Sequence, residues 1–147
     1  MTAFSFRLER VLQWRRAQLD LAQAAMSRIA AERARWDTIL ANLTHARTQA
    51  EGLLAGPVNG AELGALARYQ AYVEQQRKIA LERRRETEIK MEQQRARVLQ
   101  ARRECRLLEK LREVRRAEWE SAVNHEFEML AAETYLAQWE PPRRRGT

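Results

Sequence analysis

The sequence contains few of the residues that interrupt regular secondary structure. Its 147 residues include five glycines, three prolines and one cysteine. So few turn-forming residues cannot separate the many short strands of a sheet protein. One cysteine cannot form an internal disulfide, and no apolar run approaches the roughly 18 residues that a membrane-spanning helix needs. Because the opening residues also do not resemble a secretory signal, we expect a cytoplasmic protein.

What remains is rich in Ala, Leu, Glu, Arg and Gln, which is typical of long helices and coiled coils. Four glycines and one proline fall in one short stretch, and the others lie at the C-terminus, so that residues 2–51 and 65–140 contain neither. Two uninterrupted segments of this length predict two long helices. The predicted limits are about 4–54 for helix 1, about 55–60 for the turn, about 61–138 for helix 2 and 141–147 for a disordered basic tail.

The turn carries signals for ending one helix and starting the next. Gly56 permits a left-handed cap and Pro57 cannot continue the helix. Asn59 followed by Glu62 fits a capping box. Since a short connection makes neighbouring helices antiparallel, we predict an all-α fold: one coiled-coil domain over 1–147, an antiparallel hairpin whose second helix is longer than the first.

Helix 1 keeps a heptad register in which alternate steps of four and three residues meet mostly apolar side chains. In helix 2 the same register is diluted by polar residues, and several apolar residues lie off it. We therefore expect its apolar stripe either to drift around the helix or to shift register, with the weakest pairing over roughly 74–97. The helix 1 register comprises Leu8, Leu12, Arg15, Leu19, Ala22, Met26, Ile29, Arg33, Trp36, Leu40, Leu43, Arg47, Ala50 and Leu54.

No residue pattern predicts catalysis. Cys105 lies on the apolar stripe, where a free cysteine packs like a small apolar residue. His45 and His125 are isolated from other metal-binding residues, and there is no glycine-rich phosphate loop or triad element. We predict that the protein is not an enzyme and has no catalytic residue, metal site or cofactor.

Charge is distributed unevenly along helix 2. The formal net charge is +7, and residues 95–116 carry nine basic and three acidic residues. Residues 117–142 carry six glutamates and no basic residue. Helix 2 should extend past helix 1 over this acidic segment. Its apolar residues there should then dimerise, fold back or dock onto another protein, unless this end frays; they are Trp119, Val123, Phe127, Leu130 and Leu136. The change from a basic to an acidic segment along helix 2 suggests two surfaces with different protein partners.

Three segments resemble the FliJ family of flagellar type III export proteins. The first is Phe4-Ser5-Phe6-Arg7-Leu8-Glu9-Arg10-Val11-Leu12-Gln13-Trp14-Arg15, similar to the family's aromatic start. The second, after the turn, is Leu63-Gly64-Ala65-Leu66-Ala67-Arg68-Tyr69-Gln70-Ala71-Tyr72-Val73. The third is Leu108-Glu109-Lys110-Leu111-Arg112-Glu113.

The resemblance implies a cytoplasmic stalk-like coiled coil at the flagellar base, on the cytoplasmic face of the inner membrane. Its implied partners are a hexameric export ATPase, the cytoplasmic part of the export gate protein FlhA, and export chaperones. By position, the implied gate-binding residues are Tyr69, Tyr72, Val73, Gln76 and Ile79, although Tyr69 has an equal claim to packing at the turn. The residues expected to bind the ATPase are Phe4, Phe6, Leu8, Arg112, Arg115, Arg116, Trp119, Val123 and Phe127.

Three alternative functions stay open. A stalk protein of an injectisome would share the architecture. The sequence pI of about 10.4 and the Arg-rich segment fit a basic coiled-coil protein that binds nucleic acid, although the acidic segment would repel phosphates. A plain structural spacer would have no binding surface at all.

Overall fold

The computed structural model describes residues 2–139, which form two α-helices and no strand. Helix α1 spans Glu9–Leu54 and helix α2 spans Gly60–Gln138. The two helices pack against each other, and α2 is the longer one. This confirms the predicted antiparallel coiled-coil hairpin. The tail predicted over 141–147 lies outside the described residues.

The chain divides into two compact units, and both helices contribute to each. The first, which we call the terminal unit, contains the described residues up to Arg16 together with those from Arg103 onward. The second, the turn unit, is Ala17–Arg102. The chain that was expected to form a single domain thus consists of two units, and each unit has its own internal contacts.

Helix α1 begins at Glu9, five residues later than the sequence predicted. Residues 2–6 are not helical, and the amide of Glu9 donates a hydrogen bond to the carbonyl of Phe6 at 3.1 Å. The ring of Phe4 lies 5.9 Å from that of Trp119 on α2. An aromatic contact of this kind can outweigh the small helix propensity of a few terminal residues, because propensity is a weak preference that tertiary packing overrides.

The connection between the helices has the predicted cap at the start of α2 but not at the end of α1. The amide of Glu62 donates to Asn59 Oδ1 at 2.8 Å, which caps the start of α2. The expected left-handed glycine cap of α1 is wrong: among the described glycines none has a positive φ. Instead the last turn of α1 tightens, with the amides of Ala55 and Gly56 donating to the carbonyls of Gly52 and Leu53.

In the turn unit most residues of the predicted α1 register are buried or half-buried. The exceptions are Arg47 and Leu54, which are exposed. The expected drift or register shift of the apolar stripe of α2 is wrong for this unit. From Leu66 to Ala101 one heptad register stays shielded, with polar residues occupying some of its positions. Its members are Leu66, Gln70, Val73, Arg77, Ala80, Arg84, Thr87, Met91, Gln94, Val98 and Ala101.

The buried polar residues of this stripe are hydrogen-bonded. Gln94 Nε2 donates to the carbonyl of Ala22 on α1 at 3.0 Å, and Thr87 Oγ1 donates to the carbonyl of Arg83 at 2.9 Å. Because these groups have partners, they can occupy core positions at little cost. The segment expected to pair most weakly therefore contributes buried contacts of its own.

Ion pairs at the edge of the interface join the helices of the turn unit. Arg84 Nε lies 2.8 Å from Asp37 Oδ1, and Arg33 Nη2 lies 3.3 Å from Glu88 Oε1. All four side chains are at least one-third exposed, so each pair stabilises the fold only slightly. Since they fix which residues face each other, their main effect is on register.

The terminal unit has a small core built around Leu12 and Cys105. Leu12 is 0% exposed and Cys105 is also buried. Arg15 and Arg16 of α1 form ion pairs with Glu104 and Glu109 of α2, the second at 3.3 Å. The arginine at a predicted core position is thus accommodated by packing its stem and directing its charge to the edge.

Candidate protein-binding surfaces

The structure brings together most of the residues predicted to bind an ATPase. The non-helical segment before α1 lies along α2 and forms an open groove of about 550 Å³. Five of the nine predicted residues line it, and both aromatic and basic side chains are among them. They are Phe4, Phe6, Leu8, Arg115 and Trp119. Leu111 also lines the groove, although the sequence did not indicate it as a binding residue.

Beyond Trp119 the apolar residues of α2 become progressively exposed. Val123 is still half-buried, whereas Phe127 and Leu130 are 52% and 56% exposed. From residue 124 to residue 139 every side chain is exposed. The sequence predicted such an unpaired extension, which we call the overhang, residues 120–139.

The basic residues predicted to face an ATPase already interact within the terminal unit. Arg112 Nε lies 3.1 Å from Glu9 Oε2 of α1, and this arginine is half-buried. Arg115 and Arg116 form exposed pairs with Glu118 and Glu120 on the same helix, each at 3.2 Å. Exposed pairs of this kind exchange readily, so these two arginines stay available to a partner, whereas Arg112 mainly joins the helices.

Three other basic residues in the α2 part of the terminal unit lack ion pairs within the described part of the chain. Arg103, Arg106 and Lys110 are exposed. Spacings of three and four residues place them on one side of α2. That spacing was visible in the sequence as part of the Arg-rich segment, but only the structure distinguishes paired from unpaired members.

Cys105 has the environment of a structural residue. Burial raises the pKa of its thiol, with a further contribution from the carboxylate of Glu109, against the lowering effect of Arg16 and Arg15. A raised pKa reduces the thiolate fraction at neutral pH and with it the reactivity of the sulfur. Within the described residues no group of three or more His, Cys, Asp or Glu side chains is arranged to hold a metal.

The predicted gate-binding residues of the turn unit do not all share one surface. Tyr69, Tyr72 and Ile79 are exposed and Gln76 is half-buried. Their spacing places these four on one side of α2. Val73 is only 3% exposed, because it belongs to the buried stripe, so in this structure it supports the surface from beneath and offers a partner no area of its own.

A second apolar groove, of about 490 Å³, lies next to this surface at the turn. It was not predicted, because its walls come from both helices and the connection between them. Tyr69 belongs to both the groove and the gate-binding surface, consistent with the expectation that it packs near the turn. The remaining lining residues are Leu53, Pro57, Val58, Glu62, Ala65 and Leu66.

In the described part of the chain, neither helix has a stretch apolar and long enough for a bilayer span. The chain matches no known protein family, no curated protein and no solved structure. Function must therefore be inferred from the surfaces themselves.

Proposed function

We propose that this protein is a non-enzymatic component of a flagellar type III export apparatus. It acts as a stalk-like coiled coil that couples the hexameric export ATPase to the export gate FlhA and escorts export chaperones. The observation that carries the proposal is that each unit has an apolar groove next to exposed apolar residues of α2, which are Tyr72 and Ile79 in the turn unit and Phe127 in the terminal unit. Large apolar residues clustered at a surface are typical of protein interfaces.

The terminal unit supplies the proposed ATPase contact. Its groove, formed around Phe4 and Trp119, combines apolar walls with the guanidinium of Arg115. Acidic loops of an ATPase ring would be attracted to Arg115 and Arg116, while the aromatic rings provide buried area on binding. Phe127 extends this surface along α2.

The turn unit supplies the proposed gate contact. Tyr72 and Ile79 lie seven residues apart on α2, two turns of one face, with Gln76 between them. A tyrosine gives apolar area through its ring and tolerates the wet edge of an interface through its hydroxyl. The adjoining groove at the turn enlarges this surface, and we assign it to the same partner.

The gate contact is tested by a pull-down of the cytoplasmic part of the gate protein. The variant Tyr72→Ala, Ile79→Ala should retain about one-tenth or less of wild-type binding, since truncating central aromatic and aliphatic anchors commonly costs more than 1 kcal/mol each. Leu81→Ala is a matched control, because Leu81 and Ile79 are both 44% exposed but lie on different sides of α2. Wild-type binding by the double variant would overturn the gate assignment.

The ATPase contact is tested by co-purification with the hexameric ATPase. Phe127→Ala should weaken the complex about tenfold. Met129→Ala serves as the control, since Met129 is 51% exposed and lies on another side of the overhang. Equal loss in the two variants would mean that the overhang binds non-specifically, and no loss in either would remove Phe127 from the interface.

Nucleic-acid binding is a second candidate function, favoured by the unpaired cations Arg103, Arg106 and Lys110. Exposed cations on one side of a helix can neutralise backbone phosphates, which supplies most of the affinity in non-specific nucleic-acid binding. A gel shift at physiological salt discriminates between the two functions. Tight binding that is lost on replacing these three residues with glutamine would favour this candidate, and binding that disappears at physiological salt would leave the export function. An injectisome stalk is distinguished by which ATPase the chain co-purifies with.

A further inference from the structure

The overhang continues the face of α2 that is buried against α1 elsewhere in the terminal unit. At about 100° per residue, Trp119, Val123, Phe127 and Leu130 fall within an arc of about 80°. Trp119 is covered in part by Phe4, whereas Phe127 and Leu130 are more than half exposed. An apolar stripe at helical spacing is the surface that a coiled-coil helix presents to another helix.

Carboxylates border this stripe. Glu126 and Glu133 lie seven residues apart along one edge, and neither forms an ion pair within the described part of the chain. Glu120, at the other edge, is bonded to Arg116 at 3.2 Å. Charged residues next to an apolar stripe decide which helix can pair with it, because they meet the flanking residues of the partner.

The charges disfavour a second copy of the overhang as the partner. Residues 117–139 contain five glutamates and no lysine or arginine. Two such segments side by side would bring like charges together without compensation, which destabilises a helix pair. A helix with lysines or arginines beside its apolar stripe would instead neutralise Glu126 and Glu133.

We infer that the stripe of the overhang receives one basic amphipathic helix from a partner protein, which extends the coiled coil beyond the start of α1. The inference deepens the proposed ATPase contact and rests on it for treating this face as an interface. It adds the chemistry of the partner: a helix with an apolar stripe flanked by cations, bound at Phe127, Leu130 and the two carboxylates.

The test uses the full chain and two synthetic helices of about three heptads, identical except that lysine or glutamate flanks a leucine stripe. Each is labelled with fluorescein, and binding is measured by anisotropy at physiological salt. We expect the lysine helix to bind about tenfold or more tightly than the glutamate helix. Equal affinities would overturn the inference. Because this assay contains no ATPase, a negative result would overturn only the inference about the basic helix. The proposed ATPase contact would still be tested by co-purification.

Two variants with the same charge change locate the site. Glu126→Lys should weaken binding of the lysine helix about tenfold. Glu128→Lys should change it less than about twofold, because Glu128 lies about 160° away around the helix and, like Glu126, is exposed and has no ion pair in the described residues. Equal effects of the two variants would reduce the binding to general electrostatic attraction and overturn the inference. Both sites are exposed, and circular dichroism checks that the helices are retained.

Sedimentation of the chain alone tests whether a second copy of the chain occupies the stripe instead. The inference expects no dimer that depends on the stripe. A dimer at micromolar concentration that Phe127→Ala dissociates would show that a second copy occupies this face, and would overturn the assignment to a basic helix.

Discussion

Leu12 is the residue on which the core of the terminal unit depends most. It is the large apolar side chain that α1 buries completely there, and it follows Val11, which is exposed on the adjacent side of the helix. Leu12→Ala should lower the free energy of unfolding by about 2–5 kcal/mol, since it removes buried methylene groups and leaves a cavity. Urea denaturation followed by circular dichroism measures the loss.

The neighbouring substitution Val11→Ala provides the control for Leu12. Its effect should stay within about 0.5 kcal/mol, because Val11 is 42% exposed and the higher helix propensity of alanine offsets part of the apolar area that is lost. If the two variants were equally destabilised, the register placing Leu12 towards α2 would be wrong by one residue.

Cys105 should react slowly with thiol reagents in the folded chain. Its burial shields the sulfur and raises the pKa of the thiol, so the thiolate that reacts is scarce at neutral pH. We expect labelling by a disulfide reagent to be about tenfold or more slower than in the chain unfolded by urea. Comparable rates in both states would mean that the terminal unit opens readily.

The same pKa gives Cys105 a defined effect on stability. Because the folded pKa is raised above the unfolded value, the protonated thiol is the form that folding favours. Its contribution is complete below the unfolded pKa and is lost as pH rises through the folded pKa. The thiol therefore makes stability depend on pH only under alkaline conditions, and its contribution is fully present at neutral pH.

At the scale of the helix, the start of α2 depends on one side chain. Asn59 accepts the Glu62 amide at 2.8 Å, and this amide has no partner within the helix. Asn59→Ala should lower the free energy of unfolding by about 1 kcal/mol. Thermal and urea unfolding provide the measurement. Asn42→Ala, in the exposed middle of α1, is the control and should be neutral or slightly stabilising.

The helices were largely predictable because their signals are local. The absence of Gly and Pro set their extent, and Asn59 with Glu62 marked the start of α2. The beginning of α1 was not predictable, since it depends on Phe4 meeting Trp119, more than a hundred residues away in sequence. The continuity of the shielded stripe on α2 was not predicted, for a related reason. Gln94 is polar, and only its hydrogen bond to the carbonyl of Ala22 explains why it can be buried.

The binding surfaces were predicted less completely than the helices. The family resemblance indicated Tyr72 and Ile79 as candidates, residue type and spacing indicated Phe127, and the structure shows all three to be exposed. The sequence did not reveal that Arg112 is joined to Glu9, because this ion pair depends on the opposing helix. The groove around Leu53 and Val58 requires both helices and the turn together, so no single segment of sequence could indicate it.

For the molecule as a whole, the proposed coupling requires both surfaces in the same chain. Phe127→Ala should impair ATPase binding and leave the gate contact intact, and Tyr72→Ala with Ile79→Ala should do the opposite. In a motile bacterium whose own FliJ-family protein is deleted, each variant expressed alone should restore swimming poorly. Wild-type chain provides the positive control, and Leu81→Ala and Met129→Ala should restore swimming like the wild type.

Expressing the two impaired variants together separates coupling from independent roles. If one chain must contact ATPase and gate at once, each variant lacks one of the two contacts, and their mixture should swim no better than either alone. If the surfaces served unrelated tasks, such as chaperone escort at one and recruitment at the other, each variant would supply what the other lacks. Restoration of swimming by the mixture would therefore rule out coupling through a single chain while leaving both contacts in place.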